Sequence, residues 1–254
     1  MQISKVKPRP RGKKTRARLM KSINFIKVLP NYNKPWAKSL AIRVKKFLRK
    51  HMFQIVRQNE DIAVCIGGDG TILYANHLRK FQHTVFGIGS KTSYMCALRK
   101  DNWRKWLVHL LRNGKYENRL LLGASVKDKN YEAMNDVVIH SHDFRVITVF
   151  AEVNGKSYQF EGDGIIISTP MGSSAYAYSA GGKILKPSSR QIEIVPICPY
   201  KRTMKPFLVA PDSKITVSCD RSWTLIIDGI KIRKIGKKEK ISVKVGRLIK
   251  FLIF

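Results

Sequence analysis

The chain has 254 residues, 44% of them hydrophobic, enough to bury a sizeable core and, on its length, to divide it between two small domains. No apolar run approaches the length of a membrane span, and the first residues lack the apolar stretch of a secretory signal, which argues against a spanning or secreted protein and predicts a cytoplasmic one. Against 17 acidic residues stand 49 Lys and Arg, a formal charge of +32 that repels itself unless a polyanion neutralises it.

Residues 1–21 carry Lys5, Lys7, Arg9, Arg11, Lys13, Lys14, Arg16 and Arg18 with no acid, interspersed with Pro8, Pro10 and Gly12. Such a segment cannot pack a core by itself and resembles the arms that ribosomal proteins thread between RNA helices. With the overall charge it predicts an RNA partner bound in a salt-dependent way. An anionic membrane is the weaker expectation, because no basic amphipathic helix with a broad apolar face and no lipidation signal is present.

Ile23–Leu29 reads as a first strand. Pro35 opens a helix that turns Trp36, Leu40, Ala41, Val44, Phe47 and Leu48 inward. Its outer face carries Lys45, Lys46, Arg49 and Lys50 without an acid, which marks it as a second candidate RNA contact. Asp61–Ile66 is a short apolar run suited to a strand covered on both faces. It leads into Gly67-Gly68-Asp69-Gly70-Thr71, a turn whose glycines admit φ > 0 and close ligand approach, at the mouth of a helix where free N–H groups and the dipole favour phosphate. A strand over Thr84–Ile88 and a helix capped by Asp101, with Trp103, Trp106, Leu107, Leu110 and Leu111 inward and Gly114 at its end, complete the alternation. Strand and helix in turn predict a parallel, Rossmann-like sheet with its ligand at the carboxyl ends of the strands.

Beyond residue 115 strands follow strands: 118–126, 131–140, 145–153 joined to 156–160 by Asn154-Gly155, 162–168, 191–195 and four more to the end. The expected organisation is therefore a basic arm over 1–21, an α/β unit over 22–115 and a β-rich unit over 116–254. Cys65, Cys96, Cys198 and Cys219 lack paired spacing and read as core residues, and the histidines show no ligand spacing, so no metal site is expected.

Three further stretches combine polar side chains with special backbone residues. Asn135-Asp136 interrupts a strand-like run. Asp163-Gly164 leads through a buried strand to Thr169-Pro170-Met171-Gly172-Ser173-Ser174-Ala175-Tyr176, expected to start a short helix over Gly172–Ser179 before Ala180-Gly181-Gly182. Asp228-Gly229 reads as a plain hairpin turn.

In order, the Gly-Gly-Asp-Gly turn at 67–70, the Asn135-Asp136 pair, the signature from Asp163 to Gly182 and Pro196-Ile197-Cys198-Pro199-Tyr200 resemble the NAD kinase family. The resemblance spans nearly everything after about residue 60. It implies an α/β domain, a β-rich domain and a cleft where the 2′-hydroxyl of the adenosine ribose of NAD attacks the terminal phosphate of ATP or polyphosphate, with a divalent metal such as Mg. By the same resemblance Asp69 orients or deprotonates the hydroxyl, and Gly68 and Gly70 admit the pyrophosphate. Asn135 and Asp136 hold the adenosine, and Asp163, Ser174, Ala175, Tyr176 and Ser179 contact the dinucleotide.

The chain departs from the family at Lys91 and Tyr94, which stand where its second glycine loop has glycines, and at Met171, Asp136 and Tyr200. Charge, arm and altered loop together predict an NAD-kinase-like protein seated on RNA, ribosome-associated or ribosomal, with its cleft partly kept. A free-standing NAD kinase is the alternative. A third reading, from the related acylglycerol and sphingoid lipid kinases, shares the glycine turn, but the Ser179-Ala180-Gly181-Gly182 and Pro196-Ile197-Cys198-Pro199 segments fit NAD kinases better.

Overall fold

The computed structural model describes residues 23–82, 84–143 and 145–254. The basic arm, with Lys5 through Arg18, lies outside the described residues. Five parallel strands open the fold: β1 (Phe25–Pro30), β2 (Gln54–Ile55), β3 (Ile62–Ile66), β4 (Thr84–Gly89) and β5 (Leu98–Arg99), in the order 2-1-3-4-5. Alternation along β3 sends Ile62, Val64 and Ile66 to one face and Ala63 and Cys65 to the other, and all five are buried. Helices α1 (Pro35–Lys50) and α3 (Trp103–Asn113) cover the first face. The shorter α2 (Asp69–His77) covers the second through Ile72 and Ala75.

The second half supplies β6 (Lys115–Val126), β7 (Lys129–Ala133), β8 (Asp136–Ser141), β9 (Ile147–Val153), β10 (Lys156–Gly162) and β11 (Gly164–Ser168). After the four-residue α4 (Tyr176–Ser179) come β12 (Ile192–Ile197), β13 (Phe207–Val209), β14 (Ile215–Cys219), β15 (Trp223–Ile227), β16 (Ile230–Ile235) and β17 (Ile241–Ile253). An antiparallel sheet in the order 13-12-11-8-15-16 packs through Val137, Ile139, Ile165, Ile167 and Trp223 onto Val149, Val217 and Val243 of β9, β14 and β17. These residues are buried by alternation on strands exposed to the core on that face.

β17 ties the halves together. Its first part pairs with β14; its last part lies parallel to β4, Lys250 opposite Thr84 and Phe251 opposite Val85, while β6 runs antiparallel along its length. Its register with β6 shifts between Val245 and Leu248. Arg247, in that irregularity, sets its guanidinium on both oxygens of Glu132 (2.8 and 3.0 Å), on the Gln82 carbonyl (3.0 Å) and on Asn76 Oδ1 (3.2 Å).

Several local expectations give way to the structure. The run 131–140 is two strands, broken at Met134-Asn135 because the Asp228 carboxylate takes the backbone N–H groups there. The helix expected over Gly172–Ser179 is a 3-10 turn followed by α4, divided at Ala175, whose φ −107 and ψ −120 are not helical. Asn102, not Asp101, occupies the cap position of α3, and its Oδ1 accepts the Arg99 N–H (2.9 Å). Trp106 sits at the margin of the buried stripe, 37% exposed, edge-on to Phe254.

Candidate active site

The glycine turn connects β3 to α2. Gly68 holds φ +102, a conformation that a side chain resists, and a Cβ there would stand 3.1 Å from Ser93 Oγ. A Cβ on Gly70, by contrast, would meet nothing within 4 Å. Asp69 occupies the first position of α2, where its charge suits the dipole. Its Oδ2 accepts the Tyr94 N–H (2.6 Å), and its Oδ1 accepts the Met95 N–H (2.9 Å) and the Cys96 thiol (3.5 Å). The carboxylate is thus fixed between the helix end and the loop after β4, with a lone pair left on Oδ2 for an incoming hydroxyl. Lys34 donates to the Gly67 carbonyl (2.8 Å), which places an ammonium at the turn.

Asn135 lies between β7 and β8 and Asp136 opens β8, both under tight backbone control. Asp228, in the turn between β15 and β16, accepts the N–H groups of Met134 (2.9 Å), Asn135 (2.6 Å) and Asp136 (3.2 Å). From the other side the Thr169 N–H reaches the Asn135 carbonyl (2.8 Å) and the Thr169 hydroxyl donates to the Met134 carbonyl (2.6 Å). Gly172 packs so closely that a Cβ would stand 2.6 Å from the Asn135 carbonyl carbon. The Asn135 Oδ1 is buried and has no protein donor.

Burial, and next the charge of Asp228, push the Asp136 carboxyl up to about 7. Asp228 is also raised, by burial, against the pull of its three N–H donors. An acid with a raised folded value binds its proton more tightly in the native state. Stability therefore falls as pH rises from about 4, the unfolded value, to about 7. Thermal melts across this range are expected to show a shallower decline for Asp136→Asn than for the unaltered protein. Parallel curves would remove the buried carboxyl as the cause.

Asp163 precedes β11, and its carboxylate lies beside the Cys198 thiol and the Tyr176 phenol. Burial raises the Tyr176 phenol, with the charges of Cys198, Asp163 and Asp136 as further causes. Ser174 is half-buried, whereas Ala175, Tyr176 and Ser179 are exposed. The Ser179 hydroxyl turns back to the Ala175 carbonyl (3.3 Å). Met95 and Cys96 from the loop held by Asp69 share an apolar cluster with Met134 and Met171, which brings the glycine turn and the Asn135 segment to the two sides of one core.

Of the residues singled out from sequence, Gly68 and Asp69 thus stand at the mouth of α2, Asn135 and Asp136 at the start of β8, Asp163 just before β11 and Tyr176 at the head of α4. Asp228 and Lys34 were missed. An aspartate in a hairpin turn carries no mark of three long-range backbone bonds, and a lysine among many basic residues carries none of its target. Among the departures, Met171 is a buried core residue, while Lys91, Tyr94 and Tyr200 are exposed.

Residues 134–252 match the family described as ATP-NAD kinase C-terminal domain. The chain is 34% identical over 237 residues to an NAD kinase of Clostridium beijerinckii, covering 83% of this chain and 84% of that protein. It is 30% identical over 227 residues to one of Aquifex aeolicus, covering 84% and 83%. Its fold is like that of yeast NADH kinase complexed with NADH (TM-score 0.81, 18% identity, 92% of this chain and 84% of that one). It is also like that of an Archaeoglobus fulgidus NAD kinase in complex with ATP (TM-score 0.74, 22% identity, 91% and 92%).

These findings correct the expectation of an RNA-seated, ribosomal protein. Relatives matching over most of their own length are named as kinases, and nothing found points to RNA. Net charge bears on solubility and association rates, not on a specific partner. On α1, Lys46, Arg49 and Lys50 are exposed and Lys45 half-buried, the solvated face of an amphipathic helix. No helix among the described residues is long and apolar enough to cross a membrane.

Proposed function

Since the chain belongs to the NAD kinase family, we propose that it is a free-standing NAD kinase, transferring the terminal phosphoryl group of ATP to the 2′-hydroxyl of the adenosine ribose of NAD and yielding NADP and ADP. The observation that carries this reading is the Asn135–Asp136 segment, locked by Asp228 and Thr169, with a buried Asn135 Oδ1 that lacks a donor. A buried acceptor without a partner is costly, and an adenosine amino or hydroxyl group supplies what is missing.

In the reaction the 2′-oxygen forms a bond to the terminal phosphorus while the bond from that phosphorus to the bridging oxygen breaks, and ADP leaves with the electron pair. The hydroxyl proton passes to the Asp69 carboxylate, which the Tyr94 and Met95 N–H groups hold in place. Phosphoryl transfer asks chiefly for positioning and charge neutralisation. Lys34 at the turn and the amino end of α2 meet the second need, and Mg²⁺ enters as part of the ATP complex. The large positive charge of the chain steers both anionic substrates to it.

The test is NADP formation by the purified protein from NAD and Mg·ATP, followed with an NADP-specific dehydrogenase. Turnover well above a reaction without protein is expected; no NADP at any substrate concentration would overturn the reading.

A further inference from the structure

At its register shift with β6, β17 turns Arg247 out of the ladder and toward two other elements. An irregularity of this kind re-aims a side chain, and here the aim is specific. The guanidinium grips both carboxylate oxygens of Glu132 in β7 (2.8 and 3.0 Å) and also reaches Asn76 Oδ1 in α2 (3.2 Å) and the Gln82 carbonyl ahead of β4 (3.0 Å). Asn76 is one residue from the end of the helix that Asp69 opens, and Glu132 stands three residues before Asn135. Resting on the kinase reading above, we infer that Arg247 is a positioning residue for the transfer. By fixing α2 to β7 it sets the spacing between Asp69, which takes the proton, and the Asn135–Asp136 segment, which holds the adenosine ribose.

Packing alone leaves that spacing loose. A gap of about 100 Å³ separates the end of α2 from β7, lined by Asn76, His77, Tyr131, Glu132 and Ile227, so the two elements do not meet flush. Further in, the loop held by Asp69 meets the Asn135 side through Met95, Met134 and Met171, unbranched side chains that adapt to a shifted neighbour. A planar fork held by four hydrogen bonds tolerates far less movement.

Asn76 points the same way. It is 3% exposed and its Nδ2 has no partner, so an apolar residue in its place would be cheaper to bury. What the asparagine adds is its bond to Arg247. The next residue, His77, faces the acceptor side as well: Asp228, raised by burial, is pulled down by its three N–H donors and then by the charge of His77, and Asp228 is the group that holds Asn135.

Geometry makes the clamp matter at a distance. The seven residues of helix from Asp69 to Asn76 span about 10 Å, so a tilt of about 6° at one end displaces the other by about 1 Å. A displacement of that size between reacting groups costs up to about 100-fold in rate. Arg247 and Glu132 are themselves 39% and 30% exposed, so their ion pair contributes little to global stability, and its loss should leave the chain folded.

The test compares Arg247→Met, which keeps the side chain's bulk without charge or donors, with Arg247→Lys, both in the full chain. Initial rates at saturating Mg·ATP are expected to show kcat lowered by about 5- to 30-fold in the methionine variant. The KM for NAD should stay within about threefold, because Asn135 and Asp136 keep their bonds to Asp228. Lysine, a point charge without the fork, should recover part of the loss. The discriminating measurement is Arg247→Met made on Asp69→Asn. Once no carboxylate takes the proton its distance no longer counts, so a further loss below about twofold is expected, whereas a general weakening of the fold would lower both backgrounds alike. An unchanged kcat, equal losses in the two backgrounds, or a loss confined to the KM for NAD overturns the role of Arg247. Amide hydrogen exchange without substrates separates this from the fate of the kinase reading. Faster exchange in Arg247→Met over both 70–77 and 131–136 supports the clamp; if the unaltered protein then makes no NADP, the kinase is discarded and the clamp between α2 and β7 stands. Unaltered exchange over both stretches removes the clamp whatever the turnover.

Discussion

Asp69→Asn is expected to cut the rate of NADP formation by about 10²- to 10⁴-fold, the usual contribution of a positioned acid–base group. The substitution preserves shape and one acceptor oxygen but removes the charge and the capacity to take a proton. In the structure the carboxylate accepts the Tyr94 and Met95 N–H groups from one loop. An amide satisfies one of them and turns an NH2 toward the other, a donor facing a donor. That mismatch costs about 1–3 kcal/mol of stability. The two effects separate in measurement, because a loosened loop shows in urea or thermal unfolding and in KM, while a lost proton acceptor shows in kcat. A kcat within tenfold of the original would mean that Asp69 only anchors the loop.

Asp228→Ala, at a position that touches no substrate in this reading, is expected to have the second largest effect. Its carboxylate is the partner of three consecutive backbone N–H groups, at 2.9, 2.6 and 3.2 Å. Removing it strands those donors in a buried place and puts alanine at φ +50, so a loss of about 2–5 kcal/mol is expected. With Asn135 and Asp136 unmoored, kcat/KM for NAD should fall at least about 10-fold more than kcat/KM for ATP. Asp228→Asn provides the control. Asparagine tolerates the left-handed backbone and keeps an acceptor for Asn135 and Asp136 while turning an NH2 toward the Met134 N–H, so it should recover part of the stability. If the alanine variant kept both its stability and its affinity for NAD, the three bonds would have no bearing on the site.

The architecture could be read from the sequence wherever the signal was local. β3 followed by two glycines, Pro35 at the head of an apolar stripe and Asn154-Gly155 between alternating segments each name an element by its own neighbours, and the elements are there. Asp69 and the Asn135-Asp136 pair were legible through their order along the chain. What was illegible is long-range. The break at Met134-Asn135 depends on Asp228, more than ninety residues on, and Asp69 finds its partners twenty-five residues away. The charge of +32 misled for a related reason: a total says how strongly a surface attracts anions, and the identity of the anion is set by a few buried groups.

The path of β17 also bears on how the protein is made. Thr84 and Val85 wait for Lys250 and Phe251 to cover their side of β4, and Ile249 and Phe251 fill the layer beneath α2. Throughout synthesis of the intervening stretch the nascent first half shows an uncapped strand edge and an unfilled apolar slot, both invitations to wrong partners. A fragment cut anywhere before residue 241 inherits the same exposure permanently. Expressing the amino-terminal half by itself should accordingly give a sticky, poorly soluble product, although it contains the whole glycine turn.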